Sequence, residues 1–136
     1  IMNLNGEVQI LQDSGATIDT KNLFINQADG VKKYVSKEAT IYRSKENVVN
    51  AEKGVDIDMN SKLTKLFGNV DILDIYGSSL KSYDLIIDQS NGGEIFMSNS
   101  PSHFQSSNVD IRAKKMHYDT MKKKLKLTEE VVAIYE

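Results

Sequence analysis

Apolar and polar residues alternate along most of this chain. Val8 and Ile10 alternate with Glu7 and Gln9, Val70 and Ile72 with Asn69 and Asp71, and Val55, Ile57 and Met59 with Asp56 and Asp58. Further on, Val109, Ile111 and Ala113 alternate with Asp110 and Arg112, and Leu125 and Leu127 with lysines. A period of two sends successive side chains to opposite faces of an extended strand, so one set meets a core and the other meets water. Clusters such as Asp13-Ser14-Gly15, Ala28-Asp29-Gly30 and Ser90-Asn91-Gly92-Gly93 separate the runs with turn chemistry. The strands recur roughly every 8 to 12 residues, the spacing of a sandwich, jelly roll or barrel. No segment sustains the i, i+3, i+4 pattern over three turns; Asn50 to Val55 comes nearest, and Gly54 ends it. Pro101 stands ahead of His103-Phe104, where it costs no interior ladder bond. The pattern predicts an all-β protein.

The alternation is also duplicated. Slid on itself by 62 residues (68 − 6), the run from Gly6 to Leu11 falls on the run from Gly68 to Leu73. At the same offset Gly15 meets Gly77, the Asn22-to-Asn26 run meets Asp84 to Asp88, and Gly30 meets Gly92. Val49 then meets Ile111, Ala51 meets Ala113, and Lys62-Leu63 meets Lys124-Leu125. Near Gly54 the match slips by one, because Ile57-Asp58 fits Tyr118-Asp119 better at 61 (118 − 57). Agreement at one offset over the whole length marks a tandem repeat. We expect a single domain, 1–136, built from units of about 6–67 and 68–136.

Composition narrows the classes of function. The chain has 136 residues, enough for one core, with ordinary hydrophobic (40%) and charged (26%) fractions. A net charge of −2 gives no reason to expect nucleic acid as a partner, and aromatics at 7% without Trp argue against a base-stacking platform. The absence of Cys excludes disulfides, thiolate zinc sites and thiol catalysis. No apolar run is long enough for a helical membrane span. The chain starts abruptly at Ile1-Met2 and is strand-like by Val8, so it reads as a trimmed sequence, which leaves room for an anchor or export signal upstream.

Candidate chemistry is sparse. His103 and His117 are not spaced as a ligand pair, and the acidic pairs Asp56/Asp58 and Asp71/Asp74 lack the further oxygen ligands and central Gly of a calcium loop. No serine sits in a Gly-x-Ser-x-Gly elbow, and no phosphate-cradling loop leads into a helix. Neither a catalytic group, nor a metal site, nor a cofactor is therefore expected. The run Lys122-Lys123-Lys124 reads as a charged hairpin turn that also discourages edge pairing, with contact to an anionic headgroup as the alternative. Strand material at both ends, almost from residue 1 at one and over Val131, Val132, Ala133, Ile134 and Tyr135 at the other, leaves sheet edges available to a partner.

The recurring motif is a Leu or Phe, then Gly-x-Val-x-Ile, a Gly-containing turn, a strand ending in Asp or Asn, an Ala-containing strand, a strand holding Asp, and Leu-x-Leu. Its clearest instance runs from Leu63 to Ile72, and an earlier copy runs from Leu4 to Gly15. Over essentially the whole chain this resembles the LptC and OstA (LptA)-like lipopolysaccharide-transport proteins. The ending from Glu129 to Tyr135 is similar to LptC, whereas Met116-His117-Tyr118-Asp119 and Leu127-Thr128 are also similar to LptA; the balance favours LptC. Glu129-Glu130 stand where a third Gly-x-Val would begin, so the repeat is expected to stop there with a terminal strand exposed.

The resemblance implies a twisted, open β-jelly roll of two antiparallel sheets. It implies a non-enzymatic periplasmic part of the lipopolysaccharide export bridge, attached to the inner membrane by an N-terminal helix that precedes Ile1. Lipid A acyl chains would lie in an apolar groove, and partners would be lipopolysaccharide and other Lpt proteins (the inner-membrane ABC transporter and the periplasmic bridge subunits) joined edge to edge, with a homodimer as a variant of that pairing. Inward positions expected to form groove or core are Val8, Ile10, Leu23, Ile25, Ile57, Val70, Ile72, Leu85, Ile87, Ile111, Leu125 and Leu127. The competing expectation is a structural or adhesive β-repeat protein with a dry core; a sugar-binding module is disfavoured by the lack of Trp and of clustered aromatics.

Overall fold

The computed structural model describes residues 2–74 and 77–135. Over these the chain forms β1 (Met2–Leu11), β2 (Thr17–Asn26), β3 (Lys33–Ser36), β4 (Thr40–Arg43), β5 (Asn47–Ala51), β6 (Gly54–Asp58) and β7 (Leu63–Asp74). There follow β8 (Ser79–Asp88), β9 (Ile95–Ser98), β10 (Ser102–Ser106), β11 (Val109–Ala113), β12 (Lys115–Asp119), β13 (Lys124–Thr128) and β14 (Val132–Tyr135). The protein is all-β, and its fourteen strands belong to one continuous antiparallel hydrogen-bonded sheet folded into two layers.

The long strands create the layers by changing partners part-way. β2 pairs with β4 through residues 17–19 and with β3 through residues 24–26. β7 pairs with β6 through residues 63–67 and with β5 through residues 70–74, and β8 likewise divides between β10 and β9. One layer thus holds β4, β5, β10, β11 and β14, the other β3, β6, β9, β12 and β13, and the long strands run through both.

At the crossing each long pair carries a bulge. The β1–β2 register shifts between Leu4 and Glu7, and the β7–β8 register between Leu66 and Asn69. The glycines there, Gly6 (φ 88°) and Gly68 (φ 81°), take a conformation L side chains avoid. Opposite them Asn22 and Asp84 are left-handed (φ 54° and 55°), which short polar side chains tolerate. The Gly6 N–H donates to Asn22 Oδ1 (2.8 Å), and the Gly68 N–H to Asp84 Oδ1 (2.9 Å), so the amide that leaves the ladder is satisfied locally. At the third equivalent position Glu129 and Glu130 are both left-handed (φ 63° and 49°), and the strand divides there into β13 and β14.

A second repeated set of bonds closes the corner. Thr20, Ser36 and Thr40 are buried, as are their counterparts Ser82, Ser98 and Ser102. Thr20 and Thr40 share a hydroxyl bond of 2.9 Å, as do Ser82 and Ser102. Ser36 Oγ donates to the Lys21 carbonyl and Ser98 Oγ to the Tyr83 carbonyl (2.6 and 3.0 Å). Ser36 Oγ accepts from Glu38 N and Ser98 Oγ from Ser100 N, both at 3.1 Å. Buried hydroxyls of this kind stabilise only when paired, and these are paired in both copies.

The one-residue slip read from the sequence is present in the pairing. Ile57 faces Tyr34 across β3–β6, and Tyr118 faces Phe96 across β9–β12. Between the layers lies one apolar cluster that includes Ile18, Tyr42, Val49, Val55, Ile57, Leu66, Val70, Leu85, Ile87 and Phe96, each at most 1% exposed. Fully burying one such side chain yields about 1.5–3 kcal/mol, whereas an exposed ion pair such as Lys114–Glu130 or Lys115–Glu129 contributes at most about 1 kcal/mol. The cluster, not the surface charge, therefore holds the layers together.

Gly54 begins β6 where the chain leaves the corner. A Cβ there would sit 2.2 Å from the Ser36 carbonyl oxygen and 2.9 Å from Lys37 Cα, both backbone atoms that have no rotamer to give. Gly54→Ala is expected to lower the unfolding free energy by about 3 kcal/mol or more. Gly15→Ala, in open space at φ 91°, is expected to cost only about 1–2 kcal/mol. Urea denaturation of the two variants checks the order; equal losses would refute the close approach as the cause.

Candidate functional site

The inward positions separate into a packed centre and two looser ends. Ile57, Val70, Ile72, Leu85 and Ile87 belong to the buried cluster, and Ile10, Leu125 and Leu127 pack against it half-buried. Leu23 is buried, while Val8, Ile25 and Ile111 are half-buried. Burial is thus complete in the middle and incomplete towards β1 at one end and β11–β13 at the other. At the β1 end Met2 and Leu4, on the same face as Val8, are exposed.

Among the described residues β1 pairs only with β2, β13 only with β12, and β14 only with β11, so each presents a free edge. The C-terminal edge differs from expectation in two ways. Val131 precedes β14 rather than forming part of it. The strand is also one residue out of the repeat's register: Ala51 faces Val70, but the counterpart of Val70, Val132, faces Arg112 instead of Ala113. A slip of one exchanges the faces of a strand. Val132 and Ile134 accordingly point outward, 58% and 60% exposed, and Ala133, also exposed, pairs with Ile111. Tyr135 pairs through its backbone with Val109.

The polar candidates do surface work. His103 Nε2 lies 2.7 Å from Asp110 Oδ1, and this contact holds the Asp110 carboxyl below its ordinary range. His117 is exposed on β12, in the other layer, between Met97 and Lys126. Asp58 Oδ1 accepts from the Asn60 and Ser61 amides in the β6–β7 turn, and those bonds lower its pKa. Asp56 sits 3.9 Å from Lys33, Asp71 stands half-buried beside Asn50 and Lys81, and Asp74 Oδ1 accepts from Ser78 N. Lys122 and Lys123 fall in the β12–β13 turn and Lys124 opens β13, and Lys123 Nζ lies 3.7 Å from Glu46 of the other layer. Among the described residues no three His, Cys, Asp or Glu converge as a metal site.

Alternation gave no sign of the seam opposite the corners, where the turns of the two layers meet. Gln89, just past β8, donates from Nε2 to Gln12 Oε1 and to Tyr42 Oη, both at 2.9 Å. The Tyr42 hydroxyl in turn donates to Glu94 Oε2. Gln12 and Tyr42 come from one layer, Gln89 and Glu94 from the other. The Tyr42 ring passes through the interior, edge-on to Phe96 (centroids 6.3 Å, 82°), which is edge-on to Tyr118 (6.0 Å, 78°). Beside the bridge lies a cavity of about 550 Å³ with Ile57, Met59, Met121, Lys62 and Thr64 in its walls. Thr64 is fully buried, and its Oγ1 has no hydrogen-bond partner among the described residues.

Burial pushes the Glu94 carboxyl above its ordinary range, against the lowering bonds from Tyr42 and Ser44. Burial, and then the Glu94 charge, push the Tyr42 phenol far above its own. Because the folded state holds the Glu94 proton more tightly than the unfolded state does, the Glu94 contribution favours folding below the usual carboxylate range. It is lost as pH rises through the raised value. Glu94→Gln keeps an acceptor for Tyr42 and removes the buried charge. Its melting temperature is expected to exceed that of the parent at pH 7, with the gain shrinking towards pH 4; a gain independent of pH would refute the assignment.

Compared with known proteins, the chain matches no family model and no curated sequence.

Proposed function

We propose that this protein is a non-enzymatic carrier of lipid acyl chains, and more specifically a periplasmic component of a lipopolysaccharide export bridge, nearer to LptC than to LptA. The observation that carries the reading is the interior itself. Its central cluster is apolar, with the buried hydroxyls gathered mainly at the corner; it loosens at both ends into half-buried aliphatic positions, and the strands bordering those ends keep free edges among the described residues. A trough of this kind continues into a neighbour of like construction when strands pair edge to edge. Transfer of acyl chains into it yields about 0.8 kcal/mol per CH₂, so no polar chemistry is needed to retain a lipid. The partners that fit are lipopolysaccharide, an inner-membrane ABC transporter supplying directional work, and bridge subunits or a second copy at the edges, with the full-length chain held at the inner membrane.

A dry structural repeat is the second reading, and one observation favours it: Tyr42 and Phe96 fill the centre completely, 0% exposed. The two readings diverge at the ends of the interior. Photo-reactive residues at Ile10, Ile111 and Leu127 are expected to crosslink labelled lipopolysaccharide, with Asp71 as the outward control. Equal labelling at all four positions, or none at any, would sink the lipid reading and leave the structural one.

A further inference from the structure

The two layers are joined covalently and by continuous hydrogen bonding at the corners, so the long side along which they can part without breaking the ladder is the opposite seam. That seam is closed by a short polar bridge. Gln89 is its centre, bonded to Gln12 and to Tyr42 of the facing layer, with Tyr42 passing the connection on to Glu94. Nearby, Lys123 and Glu46 span the same two layers. Behind the bridge the interior is mostly apolar and closely packed, whereas the cavity that Gln12, Gln89 and Glu94 share with Ile57, Met59 and Met121 already reaches in from outside. The buried Thr64 hydroxyl in that wall, like Asn47 Oδ1, has no hydrogen-bond partner among the described residues. A core cemented only by side-chain packing would need no such bridge.

We propose that Gln12, Gln89, Tyr42 and Glu94 form a latch that holds the seam shut over a dry interior, and that its release admits an acyl chain sideways through the cavity at Met59 and Met121. This rests on the acyl-carrier reading. The closed latch reconciles a fully packed centre with the carriage of acyl chains. The centre is dry while empty, and the layers part along a line that crosses no backbone ladder among the described residues.

The chain has no cysteine, so engineered thiols are unique. A buried Val49→Cys thiol reports opening without any lipid, and cis-parinaric acid fluorescence reports acyl uptake. Gln89→Ala is expected to speed thiol modification about tenfold, the factor expected for loss of one to two net hydrogen bonds, and to speed probe uptake. Joining Ser14→Cys to Ser90→Cys across the seam with a short bis-maleimide, in a protein with Val49 intact, is expected to suppress uptake without unfolding the protein. Unchanged thiol modification in Gln89→Ala, or uptake that the crosslink leaves unaltered, overturns the latch while the carrier reading stands. Faster modification with no uptake by any form overturns the carrier reading and the lateral entry together.

Discussion

A strand that serves two sheets must bend without leaving its backbone polar groups unpaired, and the rest of this protein depends on how that is done. At Gly68 the chain inserts an extra residue, turns left-handed, and hands its free amide to the carboxylate of Asp84. Gly6 and Asn22 repeat the device. Because the bend is placed at the same point in β1–β2 and β7–β8, the shorter strands sort into two layers, and the apolar faces of those layers meet. The Ser/Thr bonds behind the bend then fix the return of the chain from one layer to the other. Without the bend the fourteen strands would be an open sheet with its aliphatic face in water.

The seam is the counterpart of the corner. One side of the molecule is joined by the ladder itself, the other by a few side-chain bonds around Gln89 and Tyr42. This asymmetry makes the structure a two-layered fold, closed by its backbone on one side and by side chains on the other, rather than a barrel. It also changes what the aliphatic interior means. The expected groove is filled at its centre by the Tyr42–Phe96–Tyr118 row, and the positions that remain loose are Val8, Ile10 and Ile25 at one end and Ile111, Leu125 and Leu127 at the other.

What could be read from the sequence was what depends on period and offset. Alternation marked the inward faces of β6, β7 and β11, and the shift from 62 to 61 near Gly54 is visible as Ile57 and Tyr118 facing the equivalent residues Tyr34 and Phe96. The face change inside β2 and β8 was not legible, because a single left-handed Asn22 or Asp84 reverses the parity of everything after it without altering composition. That is why Ile18 and Leu23, an odd number apart, are both buried. The slip of β14 escaped for a related reason: Glu129 and Glu130 occupy the turn where glycine was missing, and residue type alone does not say which way the following strand is turned. The seam joins Gln12 to Gln89 across most of the chain.

The Ser/Thr corner has one more consequence. Each bond in it, from Thr20 to Thr40 and from Ser82 to Ser102, begins and ends within a single unit, and none crosses from one copy to the other. A unit therefore carries the complete instructions for its own fold-back and asks of its neighbour only a strand of matching length. Architecture of that sort can grow by gene duplication one unit at a time, with no interior redesign at the joint.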